Sequence, residues 1–255
     1  ARAIGFDVIF SSPQSNPHQK SLEQLSRLIP ETLPETTSAR KFMGKLLRES
    51  SPDAEFAKVL SQASQVVLGY FFHFSPEELH HLTPELRNQY FEDIKPSQFR
   101  GFLKSQDNLD LSLLPFPDAY AVESNISIFS RSVKSSGFIT FNIESDGSIR
   151  RLPLLVKYQD SVSKEDYYFP PLSLRLLEQF LDGTLLFRVG ETGMEEVILD
   201  SASSTLVIPT NAKGELEINF LGPRGTFPGF SLSDLLDDSK SARLKDKIKD
   251  KIILV

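Results

Sequence analysis

The run AIGFDVIF, residues 3–10, decides how the fold begins. Apart from Gly5 and Asp7 it is continuously apolar, which is typical of a strand covered on both faces, as in a parallel sheet. A second apolar run, Val66 to Phe72, predicts another buried strand, and a right-handed βαβ crossover is the expected connection between the two. Asp7 lies inside the first run, where an unpaired carboxylate is costly. We therefore expect Asp7 either to hold a structural hydrogen bond or to face a cavity as a ligand-binding group.

Three of the predicted helices have clear N-terminal signals. Ser21 and Gln24 have capping-box spacing ahead of an apolar periodicity, and the Ser-Pro-Asp triplet at residues 51–53 supplies an N-cap, a proline at the first helical position and an early acid. The prolines at residues 170–171 open a third helix, which ends at residues 182–183, Asp-Gly. The apolar residues that share one face of this third helix are Leu172, Leu176, Leu177, Phe180 and Leu181.

The rest of the chain shows weaker signals. Residues 30–40 indicate an exposed excursion. Residues 75–78 and 83–85 have the pattern of helix starts, but Pro96, Pro115 and Pro117 interrupt the rest of residues 75–117, which we expect to be mostly irregular and to lie on the surface. Residues 138–143 alternate between apolar and polar side chains and, with the Asp146-Gly147 turn, predict a hairpin leading into residues 149–158. Short strands are then predicted at residues 185–189, 197–199, 206–208 and 216–220, followed by a helix near residues 233–236 and a closing strand at residues 251–255.

This order of elements predicts a mixed α/β (α+β) fold. We expect a central mixed sheet with a parallel βαβ start, antiparallel hairpins in the second half of the chain, and helices packed on the sheet. With 255 residues, of which 40% are hydrophobic, the chain is long enough to bury one large core. A single domain over residues 1–255 is therefore predicted.

Charge and cysteine content narrow the possible functions. The formal net charge of −6 argues against nucleic acid as a partner. The chain has no cysteine, which excludes a disulfide, a thiolate zinc site and a cysteine nucleophile, and fits an oxidising extracytoplasmic space. Val66 to Phe72, the longest apolar run, falls far short of the about 20 residues that cross a bilayer. Because the sequence starts at Ala1 without an initiator methionine and stops within an apolar strand, we expect it to be a piece of a longer protein.

Motifs for catalysis or cofactor binding are not found in the sequence. The G-x-S-x-G nucleophile signature has its nearest counterpart at residues 229–233, where a helix N-cap is the favoured interpretation, and neither glycine-rich phosphate-binding pattern occurs. His18, His73, His80 and His81 show no metal-ligand spacing, so solvated side chains are favoured over a metal site. The sequence therefore predicts no metal and no cofactor.

Eight separated segments occur in an order that matches a known family. They are AIGFDVIFS (3–11), VVLG (66–69), DGSIRRLPL (146–154), YFPPLSL (168–174), IPT (208–210), INFLGP (218–223), TFP (226–228) and KIILV (251–255). In this order they resemble the CHASE2 family of bacterial extracytoplasmic sensor domains. The resemblance implies a domain outside the cytoplasmic membrane that follows a spanning helix and precedes further membrane helices and a cytoplasmic output module, such as a histidine kinase or a nucleotide cyclase. Residues 13–50 and 75–117 are longer than is usual in that family.

The leading hypothesis is a non-enzymatic sensor domain. We expect it to form a homodimer in a membrane-anchored receptor and to respond to a small molecule or another signal from the cell envelope. The alternatives are an envelope protein-interaction module, which an exposed apolar patch would mark, and a hydrolase that uses a carboxylate such as Asp7 or Asp146. The candidate ligand-binding residues, of which the first four are expected at the carboxyl ends of the parallel strands, are Asp7, Ser11, Ser12, His73, Asn142 and Asn219.

Overall fold

A computed structural model of the chain describes residues 1–14, 51–223 and 225–255, together with the single positions 24, 38 and 42. The helix predicted after Ser21 and the excursion predicted for residues 30–40 lie, apart from those single positions, outside the described residues. The strands are β1 (Ala3–Phe6), β2 (Val66–His73), β3 (Phe102–Lys104), β4 (Asp118–Ala119), β5 (Ala121–Glu123), β6 (Ser135–Phe138), β7 (Arg151–Pro153), β8 (Val156–Gln159), β9 (Asp166–Phe169), β10 (Gly183–Gly190), β11 (Gly193–Ser201), β12 (Thr205–Pro209), β13 (Glu215–Glu217) and β14 (Ile252–Leu254).

Helices are fewer and mostly short. The α-helices are α1 (Pro52–Gln62), α2 (Pro84–Ile94), α3 (Ser127–Ser130), α4 (Leu172–Leu181), α5 (Leu232–Leu236) and α6 (Asp238–Ile248), and 3₁₀ turns occur at Pro76–Leu79, Lys95–Ser97 and Leu111–Leu113. Within the described parts of the chain, none of these helices combines the length and the hydropathy needed to cross a bilayer. Helices and strands alternate along the chain, and the strands form several sheets, so the predicted mixed α/β fold is confirmed.

The first sheet has a parallel core, in the order β14-β1-β2-β6. β1 and β2 are parallel and α1 lies between them in the sequence, as the predicted βαβ start requires. Ser51 caps α1 as predicted, because its Oγ accepts a hydrogen bond from the Ala54 N–H at 3.4 Å. β5 pairs antiparallel with the last three residues of β2, which makes the sheet mixed. The sheet therefore changes from parallel to antiparallel pairing along β2.

Helices cover both faces of this parallel core. Leu60 of α1 belongs to an apolar cluster with Leu68 of β2, whereas Leu176 of α4 packs in a cluster with the neighbouring residue, Val67. Because successive side chains of a strand point to opposite faces, α1 and α4 lie on opposite sides of the sheet. Two-sided burial explains why β2 is an unbroken apolar run in the sequence.

The second sheet is formed by β12-β11-β10-β3, in which β3 is parallel to β10 and the other pairs are antiparallel. α4 lies between the two sheets and contacts β1, β2 and β6 as well as β10. The apolar side chains that the sequence assigned to one face of α4 therefore divide between two cores. Leu172 and Leu176 pack on the first sheet, and Leu177 and Leu181 pack on the core of the second.

The hairpin predicted from residues 138–158 is wrong in its strands and right in its turn. Gly147 takes a φ of +79° in a turn that the Gly147 N–H closes by donating to the Glu144 C=O at 2.8 Å. The preceding strand β6 ends at Phe138 and runs parallel to β2, and β7 pairs with β13. Pairing with the central strand β2 gives β6 a neighbour that buries Phe138, which a local hairpin would not.

The expectation that residues 75–117 are irregular and lie on the surface holds for residues 105–113, which are mostly exposed, but is wrong for α2. α2 lies in this stretch and buries Phe91 and Ile94 in an aromatic core, where the Phe91 ring is 4.8 Å from the Tyr158 ring. The helix start predicted at residues 83–85 is confirmed, because Thr83 is the N-cap of α2 and Pro84 takes the first helical position, where proline is favoured. Pro76 likewise begins a 3₁₀ turn, and Leu79 at its end is buried in the same core.

Candidate functional site

A cavity of ≈ 310 Å³ lies between the N-terminal half of α4 and the edge of the parallel sheet. Its volume is at the lower end of the range that holds small-molecule ligands. Most of its wall is apolar, and the polar side chains in the wall are those of Asp7 and Ser173. The lining residues are Asp7, Phe138, Ile139, Leu152, Pro171, Leu172, Ser173, Leu176, Ile252 and Leu254.

Two glycines allow α4 to approach the sheet closely enough to form this cavity. A Cβ added to Gly137 would lie 2.6 Å from the backbone nitrogen of Leu172, and one added to Gly5 would lie 2.6 Å from Leu176 Cδ1. Backbone atoms cannot move aside as a flexible side chain can, so the constraint is stricter at Gly137. The sequence thus fixes the position of the helix through the smallest residue on each of two strands.

Asp7 lies just past the last residue of β1 and is exposed, so the expectation that it is enclosed within an apolar strand is wrong. Its backbone N–H donates to the C=O of Val255 at 2.9 Å, which extends the pairing of β1 with β14. Its side chain lines the cavity, where it supplies a carboxylate at an otherwise apolar wall. The structure therefore places Asp7 at a cavity, one of the two expected settings, and its role in ligand binding stays a prediction.

The other predicted ligand-binding residues do not gather around Asp7. Ser11 lines a different cavity, of ≈ 490 Å³, and Ser12 is exposed beside it in the sequence. Asn142 and Asn219 are exposed and lie outside the strands in which the sequence placed them. Because β6 and β13 end before these positions, neither Asn142 nor Asn219 lies in a paired strand. The ligand role of these four residues stays a prediction.

His73 is the last residue of β2, and it is buried, with 7% of its surface exposed. The expectation of a solvated side chain is therefore wrong for His73. In the antiparallel register Phe71 lies opposite Glu123 and His73 lies opposite Ala121. His73 and Glu123 are thus diagonal neighbours on one face of the β2–β5 pair, close enough for long side chains to meet.

The 3₁₀ turn after β2 brings two more polar side chains to this pair. His73 Nδ1–H donates to Glu78 Oε2 at 3.1 Å, and His81 Nε2–H donates to Glu123 Oε2 at 3.2 Å. The second ring nitrogen of His73, Nε2, lies 3.6 Å from the same Glu123 oxygen. We call His73, Glu78, His81 and Glu123 the histidine–glutamate cluster.

Sequence reasoning missed this cluster because its members are brought together by pairing rather than by spacing. His73, Glu78 and His81 occur within nine positions of each other, but this spacing matches no metal or catalytic motif. Glu123 joins them only through the register of β5 on β2, which the sequence does not specify, since it gave no strand for residues 121–123. The sequence did contain a signal, because His73 ends an apolar run and Glu78 and His81 follow it closely.

Asn125 ties β2 to the segment that follows β1. It is 1% exposed, its Nδ2–H donates to the Gly69 C=O at 2.8 Å, and its Oδ1 accepts the Phe10 N–H at 2.9 Å. The Ile126 N–H also donates to the Phe10 C=O, at 2.8 Å. Asn125 begins an Asn-Ile-Ser triplet, yet its burial and these hydrogen bonds make it a structural amide that a glycan could not reach.

Asp146, one of the carboxylates considered for a hydrolase, is hydrogen-bonded within a surface turn. Arg150 Nη2 donates to Asp146 Oδ2 at 2.8 Å, and Ser148 donates to Asp146 Oδ1 through both its N–H and its hydroxyl. The hydrogen bond from Arg150, followed by those from Ser148, holds the pKa of Asp146 well below its usual range. A carboxylate with a lowered pKa is a weak general base, so the turn favours a structural role.

A run of exposed apolar side chains lies between β13 and α6. Phe220, Phe227 and Leu236 are 71%, 71% and 80% exposed, respectively. An exposed apolar patch is the feature expected of a protein-interaction module. The structure therefore contains both a cavity and an exposed apolar stretch, and they belong to different parts of the chain.

Comparison with known proteins finds one family. The family model described as the CHASE2 domain matches residues 1–255, which is the whole chain. No curated protein and no solved structure matches the chain. The match covers β1, the helix α4 and β14, and thus every wall of the cavity, and it covers the histidine–glutamate cluster.

Proposed function

The chain belongs to the CHASE2 family of sensory domains, and from this premise we propose that it is the extracytoplasmic, ligand-perceiving domain of a bacterial transmembrane signalling receptor. The observation that carries the proposal is the match of the family model over all 255 residues. In the proposed receptor, a membrane-anchored homodimer receives a small-molecule or envelope signal and relays it to a cytoplasmic output module. Nucleic acid is not a partner in this proposal, in agreement with the net charge of −6.

The cavity beside α4 is the proposed ligand site. Its apolar wall and single carboxylate suit a small molecule with an apolar body and a cationic or hydrogen-bond-donating group directed at Asp7. Ile252 and Leu254 of β14 also line it, so a ligand there touches β14 and Asp7, the residue that follows its partner strand β1. A ligand that fits one arrangement of this strand pair better than another shifts the equilibrium by its difference in affinity.

The direct test asks on which side of the membrane the domain lies. The chain has no cysteine, so Ala202→Cys, at an exposed position between β11 and β12, gives it a single accessible thiol. The whole gene product is treated in intact cells with a membrane-impermeant maleimide, and the peptide that contains residue 202 is quantified by mass spectrometry. The proposal predicts the same labelling in intact cells as after lysis.

The matched control for this test is Ser124→Cys, since Ser124 is 1% exposed. We expect residue 124 to react only after denaturation, which shows that labelling reports access rather than unfolding. Labelling of residue 202 that requires cell lysis would place the domain in the cytoplasm and contradict the proposal.

An envelope protein-interaction module is the second candidate, and the exposed run from Phe220 to Leu236 favours it. In that case Leu236→Glu would abolish the function of the intact protein, because a charge is introduced into an apolar contact. A bulky substitution in the cavity, such as Ser173→Trp, would then have no effect. The ligand-perception proposal predicts the opposite ranking of these two variants.

A further inference from the structure

We propose that His73, His81 and Glu123 bind a divalent transition metal ion, for which Zn²⁺ is the best match. The three residues come from the end of β2, the segment after the 3₁₀ turn, and the end of β5. One ligand atom from each lies within 4.8 Å of the ligand atoms of the other two. No sequence motif indicates this site, and it is separate from the cavity, whose wall contains none of the three residues.

The distances between the donor atoms suit a tetrahedral ion. With zinc–ligand bonds of about 2.0–2.1 Å, tetrahedral geometry separates neighbouring ligand atoms by roughly 3.3 Å. Glu123 Oε2 lies 3.6 Å from His73 Nε2 and 3.2 Å from His81 Nε2. An ion between these atoms replaces the proton that His81 Nε2 shares with Glu123, and His81 then keeps its proton on Nδ1. Small side-chain rotations are sufficient to bring the three donors onto one ion.

The strongest support for the site comes from His73, because its Nε2 is buried without a hydrogen-bond partner among the described residues. A buried polar nitrogen in this state is costly, and a bound metal ion satisfies it. Its other nitrogen, Nδ1, donates to Glu78 Oε2 at 3.1 Å. This contact fixes the tautomer that leaves the lone pair on Nε2, the nitrogen directed at Glu123, and it is the carboxylate–histidine arrangement that commonly supports a metal ligand.

The donor set also selects the class of ion. Two imidazoles and one carboxylate suit Zn²⁺ and its neighbours among the transition metals, whereas Ca²⁺ and Mg²⁺ favour sites made of oxygen ligands alone. The side chain of His81 is 56% exposed, so solvent reaches the site from that side. The ion can therefore enter from solvent, and a water molecule can occupy the fourth position.

The test is metal binding by the purified 255-residue chain after treatment with a chelator. Isothermal titration with ZnCl₂ should give one site per chain, and CoCl₂ should give the visible absorption of Co²⁺ bound by nitrogen and oxygen donors. His81→Ala and Glu123→Gln each remove a ligand and should lower the affinity more than 100-fold. Glu78→Gln leaves the ligands in place and should lower it by about 10–100-fold.

His80→Ala is the matched control, because His80 is the exposed neighbour of His81 and is outside the cluster. It should bind Zn²⁺ as the unmodified chain does, and CaCl₂ or MgCl₂ should give no heat of binding. An unmodified chain that does not bind Zn²⁺ would overturn the proposal, and so would binding that survives both His81→Ala and Glu123→Gln. Circular dichroism of each variant verifies that the chain is folded. Since the chain is tested alone, the result does not depend on the proposed sensory function.

Discussion

The cavity beside α4 and the histidine–glutamate cluster at the end of β2 belong to the same sheet but present different chemistry. The cavity of ≈ 310 Å³ has a mostly apolar wall with the Asp7 carboxylate at its side. The cluster consists of two imidazoles and two carboxylates in contact with one another. The first region can select a ligand by shape and apolar contact, whereas the second can select an ion by charge and donor geometry.

The difference follows from how β2 is paired. Its first half lies between parallel neighbours and is covered by helices on both faces, so its side chains are apolar. Its last three residues pair with the short strand β5, and the chain then turns, which lets polar side chains gather at the sheet edge. Asn125, which follows β5, binds the backbone of Gly69 in β2 and of Phe10 after β1, and so holds β5 against both parallel strands. One sheet can therefore carry two separate kinds of recognition.

The largest effect on stability is expected from a substitution in the apolar wall of the cavity, and this substitution should leave the histidine–glutamate cluster intact. Leu176→Ala deletes a buried side chain that lines the cavity and packs on the parallel sheet, so we expect the free energy of unfolding to fall by about 3 kcal/mol. Urea denaturation followed by circular dichroism measures the change. Leu113→Ala, at a side chain that is 82% exposed, is the control and should change stability by less than about 0.5 kcal/mol. A folded Leu176→Ala chain that no longer binds Zn²⁺ would contradict the separation of the two regions.

Removal of the buried Asn125 amide should have the next largest effect on stability. Asn125→Ala leaves the Phe10 N–H and the Gly69 C=O without their partner, which should cost about 2 kcal/mol of unfolding free energy. Hydrogen exchange of the Phe10 amide should accelerate in the same variant. Asn142→Ala removes an exposed amide and should leave both quantities unchanged. Equal effects of the two substitutions would show that the hydrogen bonds of Asn125 do not stabilise the sheet.

The smallest effect on stability is expected from Asp7→Asn. Asp7 is exposed, so its neutral isostere should alter the unfolding free energy by less than about 0.5 kcal/mol. A thermal-shift screen with small organic amines that have an apolar body provides the probe. Amines that raise the melting temperature of the unmodified chain should lose about tenfold in affinity for Asp7→Asn, because a charge-assisted hydrogen bond is lost. Unchanged affinity would remove Asp7 from the ligand site.

The parallel start of the fold could be predicted because strands that are buried on both faces are continuous apolar runs in the sequence. β1, α1, β2 and α4 were indicated by apolar runs and capping residues that act locally, such as Ser51. The end of α4 could likewise be predicted, at residues 182–183. The left-handed position that ends the helix is taken by Asp182, with a φ of 49°, and not by the following glycine. Local chemistry decides these features.

The misplaced elements depend on partners that are distant in the sequence. β6 was expected to pair with the chain that follows it, yet it pairs with β2, about 70 positions earlier. α6 has no counterpart among the predicted helices, because Lys245, Asp246 and Lys247 hide its helical periodicity. The candidate site shows the same limit, because His73 was identified singly while Glu123 reaches it only through strand register.

The most direct test of the proposed sensory role measures the output activity of the intact receptor in its native membrane. Ser173→Trp fills the mouth of the cavity from an exposed position on α4, and Ser203→Trp introduces the same side chain at an exposed position between β11 and β12. The account predicts that Ser173→Trp changes the basal output or the response to the stimulus, while Ser203→Trp leaves both as in the unmodified receptor. Identical output from all three receptors would contradict it.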